Sequence, residues 1–296
     1  MKKKVILVVL FIASLCYFGW KTITTPRGEQ KVQYTEASKE CFAGDAKKSW
    51  KYCIYTAKQG TSGDLAYLLH GRNLDENIWN DDTFYTAQLQ KYWADEKVQP
   101  PKIVTVSFGP VWLLTPKMSL PDSGLLNKFT DEIIPAIENK VGKPKRRLVF
   151  GESMGGINSL VLALTTKNIF AKVAAVCPVI YKTTPFVDLS DVKNFLERTG
   201  ADPRTILGIR ILARKYVSND EEWKKISPIE LLETATPSDV PELYLSCGLY
   251  DKYGNYEAVE YFAERAKSKN IKVLWRPMYG DHCVVDVKSL GDFITN

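Results

Sequence analysis

Histidine is almost missing from this chain: its 296 residues include two, His70 and His282. Any chemistry that needs an imidazole must use one of those two places. No Cys-x-x-Cys pair and no Cys/His cluster occurs, so the chain has no pattern for a structural zinc site, and no metal is expected. Basic charge is not in large excess. Forty Lys and Arg stand against 34 Asp and Glu, a net +6, and three of those charges are Lys2, Lys3 and Lys4. Further along, lysines and glutamates are interspersed as on a solvated surface, which is not the concentrated basic face of a nucleic-acid binder. Internal repeats and low-complexity blocks are also missing, so the chain is not a repeat array. What is present is ordinary for a globular fold. Hydrophobic residues make up 45% and charged residues 25%, and the length suits one large domain or two small ones.

The first residues differ in kind. Lys2 to Lys4 precede an uncharged apolar run from Val5 to Trp20. This is the positive n-region and apolar h-region of a secretory signal, a little short of the roughly 20 residues of a comfortable membrane span. No small-x-small cleavage site follows, and Tyr17, Phe18 and Trp20 have the character of an interfacial aromatic belt. Cys16 invites a lipoprotein reading that the large Leu15 before it opposes. Residues 1–25 therefore read as a signal peptide or an N-terminal membrane anchor, and both stay open. In either case the positive-inside rule places residues 32–296 outside the cytoplasm, periplasmic or extracellular, with membrane attachment through residues 5–20 if the leader is kept. The cysteines suit that compartment. Cys41 and Cys53 flank a Gly44-Asp45 turn signal and are either bridged or two free thiols. Cys177 and Cys247 sit in apolar, strand-like runs and read as small buried hydrophobes.

Beyond a polar linker near residues 21–30, the stretch from Val32 to Lys58 alternates as early strands would. Strand-like runs then take turns with helical patterns. DLAYLLHG, KIVTVSFG, RRLVFG, FAKVAAVCPVI, ELYLSCGLYD and KVLWRPMYGDH read as strands. DDTFYTAQLQKYWADEK, the stretch from Leu125 to Val141, GGINSLVLALTTKN, NYEAVEYFAERAKSKN and VVDVKSLGDFIT read as helices, with Pro135 as a kink. This alternation predicts an α/β fold: a mainly parallel sheet with helices on both faces. The stretch from Tyr181 to Asp239 breaks the rhythm. It is long and helical, with capping signals at Ser190 or Asp191 and at Asp220, and reads as a cap above the sheet.

Chemistry concentrates in GESMGG, Gly151 to Gly156, between the strand LVFG and the helix GINSLVLAL. A serine on such a strand–turn–helix junction is pushed above the sheet, at the positive end of a helix. Its flanking glycines are needed where a side chain would strike a neighbouring strand. Ser153 needs a base, and with two histidines the choice is sharp. His282 follows the last strand, whereas His70 precedes Gly71 on an early loop, where the second oxyanion donor belongs. The acid falls between them in the chain. Asp251 follows the penultimate strand, and Asp281 and Asp286 are weaker competitors.

Taken together, LLHGRNLDENIW, GESMGG, CGLYD, GDH and SPIELL resemble the α/β-hydrolase superfamily, and within it the esterase D-like group of feruloyl esterases, S-formylglutathione hydrolases and mycolyl transferases. The resemblance runs from Asp64 to the C-terminus. It implies Ser153 as nucleophile, Asp251 as acid and His282 as base, with backbone oxyanion donors at Met154 and at Gly71 or Arg72. Two departures stand out: HGRN replaces the glycine-rich HGGG form, and Glu152 fills the variable elbow position. His70, Phe108, Trp112, Tyr181 and Tyr250, with Phe186, are the candidate pocket residues by their position after strand ends. The expected activity is serine carboxylesterase action on small to medium acyl esters, with no cofactor. Two alternatives remain: an exported acyltransferase passing the acyl group to a sugar or lipid hydroxyl, and an inactive hydrolase-fold scaffold. A small-molecule ester is the expected partner, and oligomeric state is not readable.

Overall fold

The computed structural model describes residues 2–24, 37–47, 49–80 and 85–296, with side chains of the first segment from residue 9 to 20. The linker and the first residues of the early-strand stretch, 25–36, and the opening of DDTFYTAQLQKYWADEK, 81–84, lie outside the described residues. An eight-stranded sheet runs in the order β1-β2-β4-β3-β5-β6-β7-β8. Strands β1 (Ser38–Ala43) and β2 (Lys51–Thr56) form a hairpin, and β2 pairs antiparallel with β4 (Lys102–Ser107). From there β3 (Leu65–Leu69), β5 (Arg147–Glu152), β6 (Lys172–Val176), β7 (Glu242–Gly248) and β8 (Val273–Met278) are parallel. In the hairpin Cys41 stands opposite Cys53, and the two are disulfide-bonded.

Strand β3 lies between β4 and β5 with every residue buried, which is why its sequence is continuously apolar. The two-residue period of a strand sorts its side chains between two cores. Leu65, Tyr67 and Leu69 join the core that includes residues of α4 (Ile134–Val141), α5 (Met154–Thr165) and α10 (Tyr256–Ser268). Ala66 and Leu68 join the core with α2 (Tyr85–Asp95) and α11 (Val287–Thr295). Helices thus cover both faces. Ahead of α4, helix α3 (Leu125–Lys128) passes through one π-helical turn, Phe129–Ile133. The wider turn lies just before Pro135, whose ring and missing N–H cannot follow regular α spacing, so the bend expected at Pro135 is taken up by the π turn.

Between β6 and β7 the chain makes four helices, α6 (Leu189–Thr199), α7 (Pro203–Ala213), α8 (Asp220–Lys224) and α9 (Pro228–Thr234). Helix α6 begins after Asp188 rather than at Ser190 or Asp191. Helix α8 is capped by Asn219, whose side chain accepts from the Glu222 N–H, rather than by Asp220. Pro228 opens α9, in the first helical turn that suits a proline. Helix α1 (Lys2–Thr24) carries the N-terminal apolar run, and Leu10, Phe11, Leu15, Tyr17 and Phe18 are exposed on it. Among the described residues, no helix is long and apolar enough to cross a membrane.

Candidate active site

Strand β5 ends at Glu152 and α5 starts at Met154, leaving Ser153 alone on the turn with φ 54° and ψ −110°. That conformation costs a non-glycine residue roughly 1–3 kcal/mol and persists only where neighbours impose it. Here they do: the Ser153 N–H donates to Val176 O at 2.9 Å, and Ser153 O accepts from the Val179 N–H at 3.2 Å. The flanking glycines let the strands close in. A Cβ on Gly151 would come within 2.6 Å of Leu69 O, and one on Gly155 would overlap that same carbonyl outright.

Three residues far apart in sequence meet above this turn. Ser153 Oγ is 2.9 Å from His282 Nε2, and His282 Nδ1 is 2.8 Å from Asp251 Oδ2. The arrangement is satisfied when Nδ1 carries the proton and donates to Asp251, leaving Nε2 to accept from the serine. Asp251 is buried. Its Oδ1 accepts from the Tyr253 N–H at 2.8 Å, and the Cys247 thiol points at Oδ2 from 3.5 Å. Burial next to that carboxylate pushes the Cys247 thiol up and keeps it neutral. Tyr253 lies over the imidazole, ring centroids 4.1 Å apart. The competing carboxylates are engaged elsewhere. Asp281 Oδ1 accepts the backbone N–H groups of Lys252 and His282, and Asp286 caps α11.

The loop after β3 is arranged differently from expectation. The Gly71 N–H donates to the buried Glu152 Oε1 at 2.7 Å, so it already has an acceptor within the fold. Arg72 lines the cleft beside Ser153 and Met154. Of the two loop candidates for an oxyanion donor, Arg72 is the one that lines the cleft. Met154 opens helix α5, where a first-turn N–H has no partner within the helix. His70 does not line a pocket. It is fully buried, its Nε2 accepts from the Trp112 indole N–H at 3.1 Å and lies 2.9 Å from Ser107 Oγ, and its Nδ1 is 2.7 Å from Gly71 O. An indole can only donate, so Nδ1 carries the hydrogen, and the ring is a neutral brace for the loop. Burial lowers its pKa to about 4, in keeping with that role.

An open cleft of about 620 Å³ leads away from Ser153, and its walls are almost entirely apolar. Met154 and Ile157 come from α5, Val111 and Leu113 from the loop after β4, and Ile209, Leu212, Ala213 and Tyr216 from α7 and its end. Of the expected lining residues Tyr181 is present. Trp112 instead packs in the core against His70 and Phe108, and Phe108 follows it there. Phe186 packs against the same core under the Arg214 guanidinium. Tyr250 is exposed and packs edge-on against Tyr279 outside the cleft. The missed wall had a sequence signal: Ile209, Leu212, Ala213 and Tyr216 repeat at i, i+3, i+4 and i+7, one face of a helix.

Cys177, read above as a buried hydrophobe, is disulfide-bonded to Cys283, next to His282. The pairing spans 106 positions, which local patterning cannot register. Cys177, His282 and Cys283 gather as a possible metal-ligand group among the described residues, but sulfurs bonded to each other are not thiolate ligands.

Several solved esterases share this architecture. A ferulic acid esterase superposes with a TM-score of 0.61 at 17% identity, covering 89% of this chain and 95% of that one. Brefeldin A esterase, a bacterial homologue of human hormone-sensitive lipase, gives 0.63 at 16% identity, covering 97% and 85%. An arylesterase gives 0.61 at 15% identity, covering 91% and 87%. At such identities the likeness is one of fold, the α/β-hydrolase fold. No curated protein matches the chain in sequence. The model of the Esterase family, described as "Putative esterase", matches residues 47–294, most of the chain, and the protein belongs to that family.

Proposed function

We propose that this esterase is a serine carboxylesterase that works through an acyl-enzyme on Ser153 and accepts esters with an apolar acyl or alcohol part. The observation that carries the reading is the hydrogen-bonded series from Ser153 Oγ through His282 to Asp251, at the mouth of an apolar cleft. In this mechanism His282 Nε2 takes the serine proton as Oγ attacks the ester carbonyl. Asp251 holds the Nδ1–H tautomer and stabilises the imidazolium that forms. The backbone N–H groups of Met154 and Arg72 receive the oxyanion, each worth about 3 kcal/mol in the transition state. The alcohol leaves with the proton from Nε2, and water, activated by the same imidazole, releases the acid. Small to medium apolar groups match the cleft, whose one cationic side chain is Arg72.

We also propose that the protein is exported. Lys2 to Lys4 before the apolar run and the two disulfides, Cys41–Cys53 and Cys177–Cys283, support this reading, since such bonds persist in oxidising compartments.

The test is a panel of p-nitrophenyl and alkyl esters varied in the acyl and the alcohol part, run on the native protein and on Ser153→Ala. The native protein is expected to hydrolyse them and to label with a fluorophosphonate probe. Ser153→Ala is expected to do neither, and hydrolysis surviving at more than one part in a thousand would remove Ser153 from the reaction. Adding sugar or lipid alcohols to the same assay measures how much acyl group is transferred instead of hydrolysed.

A further inference from the structure

Apart from its contact with Ser153 Oγ, the hydrogen bonds around His282 lie on the side of its acid. Its loop is tied to the turn that carries Asp251: the Tyr250 N–H donates to Gly280 O at 3.0 Å, the Lys252 N–H to Asp281 Oδ1 at 3.0 Å, and the Leu249 N–H to Met278 O at 2.8 Å. These bonds fix the imidazole against its acid. The nucleophile is held from other strands of the same sheet, where the Cys177 N–H also donates to Ser246 O of β7 at 2.7 Å. Ser153 is held by the segment after β6, through Val176 O and the Val179 N–H. Cys177 lies inside that segment, and its disulfide runs to Cys283, the residue after His282. Both cysteines have positive φ, 41° and 63°. The bond therefore joins the backbone that holds the serine to the loop that holds the base, and Cys177 Sγ lies 3.8 Å from His282 Nε2.

We propose that the Cys177–Cys283 disulfide is a positioning element that sets the distance between Ser153 and His282, so that breaking it lowers turnover in a protein that stays folded. This rests on the reading of Ser153 and His282 as the reacting pair. Without the bond the His282–Asp251 pair stays intact, because its own hydrogen bonds remain, but it drifts as a unit from the serine. A displacement of about 1 Å between reacting groups lowers rate by up to about 100-fold. The bond opens to a dithiol such as dithiothreitol. One thiolate attacks the half-buried Cys283 sulfur, the S–S bond breaks, and Cys177 leaves as a thiolate and takes up a proton. The second thiol of the reagent then displaces Cys283 as a thiol, and the reagent is oxidised to its cyclic disulfide.

The experiment compares native protein, Cys177→Ala/Cys283→Ala and Cys41→Ala/Cys53→Ala on one p-nitrophenyl ester, well below each melting temperature, with and without dithiothreitol. The Cys177→Ala/Cys283→Ala variant is expected to lose about 10- to 100-fold in kcat with KM within about two-fold. Its fluorophosphonate labelling is expected to slow by the same factor. The variant is expected to ignore dithiothreitol. Cys41→Ala/Cys53→Ala is expected to match the native protein and to lose activity with the reagent, reversibly on reoxidation. If Cys177→Ala/Cys283→Ala does not fold, native protein with Cys177 and Cys283 shown by mass spectrometry to be reduced takes its place. A kcat within two-fold of native for the folded, bond-free protein overturns the proposal, since a purely stabilising bond lowers melting temperature and leaves kcat alone. Activity surviving in Ser153→Ala would instead overturn the serine mechanism.

Discussion

Glu152 sits under the nucleophile with its carboxylate between two donors, the Gly71 N–H at 2.7 Å and the Tyr85 hydroxyl at 3.1 Å. Burial raises its pKa from 4.5 to about 7, although both hydrogen bonds favour the charged form. In the unfolded chain it ionises near 4.5, so between 4.5 and 7 the unfolded state releases a proton that the folded state keeps. The sign follows: this group's contribution to stability is fully present below pH 4.5 and is lost as pH rises through 7, a change on the order of 3 kcal/mol. Glu152→Gln keeps an acceptor for Gly71 and removes the titration. Urea unfolding of both proteins at pH 5 and pH 8 is expected to show the native protein losing that much more stability than the variant across the interval. Equal changes in the two would mean that Glu152 does not titrate there. At this residue the sequence was silent. The elbow position before the serine is variable, and only the approach of β3 and α2 in space gives the carboxylate its donors.

The elements around the serine make two further predictions. Strand β3, strand β5 and the start of α5 come so close that Gly155 has no room for a Cβ against Leu69 O, a backbone atom that cannot swing aside. Gly155→Ala is expected to be destabilised by more than about 4 kcal/mol, read as loss of soluble protein or a fall of about 10 °C or more in Tm. A Tm within 2 °C of native would show that the turn has slack. The cap helix α7 sets the reach of the cleft through Ile209, Leu212 and Ala213. Leu212→Trp fills that space and is expected to lower kcat/KM about ten-fold for long-chain esters while sparing acetate. An unchanged chain-length profile would remove α7 from the binding wall. Much at this scale was legible beforehand. Ser153, Asp251 and His282 each follow a strand that its apolar run announces, and chain order did the rest. The aromatic pocket was misread because position after a strand end does not say which way a side chain turns. Trp112 has an N–H that burial obliges to find an acceptor, and it found His70.

The whole chain divides at its N-terminus. The family match begins at residue 47, and both hydrophobic cores are built from residues after α1. Helix α1 turns Val9, Leu10, Phe11, Ile12, Leu15, Tyr17, Phe18 and Trp20 outward, where exposed groups of that size favour association with membranes or with other chains. That pattern was plain in the sequence because it needs no partner to be read. The disulfide that closes 106 positions was not, because a cysteine's local surroundings do not reveal the sulfur that folding brings to it. The division makes a prediction for the molecule as a whole. A chain starting at residue 37 keeps β1, the Cys41–Cys53 bond and every residue of the site. It is expected to melt within about 3 °C of the full-length protein and to match its kcat/KM on a short ester within two-fold, while the full-length protein needs detergent or sediments with vesicles. If removing residues 1–36 lowers kcat/KM ten-fold, the N-terminal segment supports the hydrolase body directly.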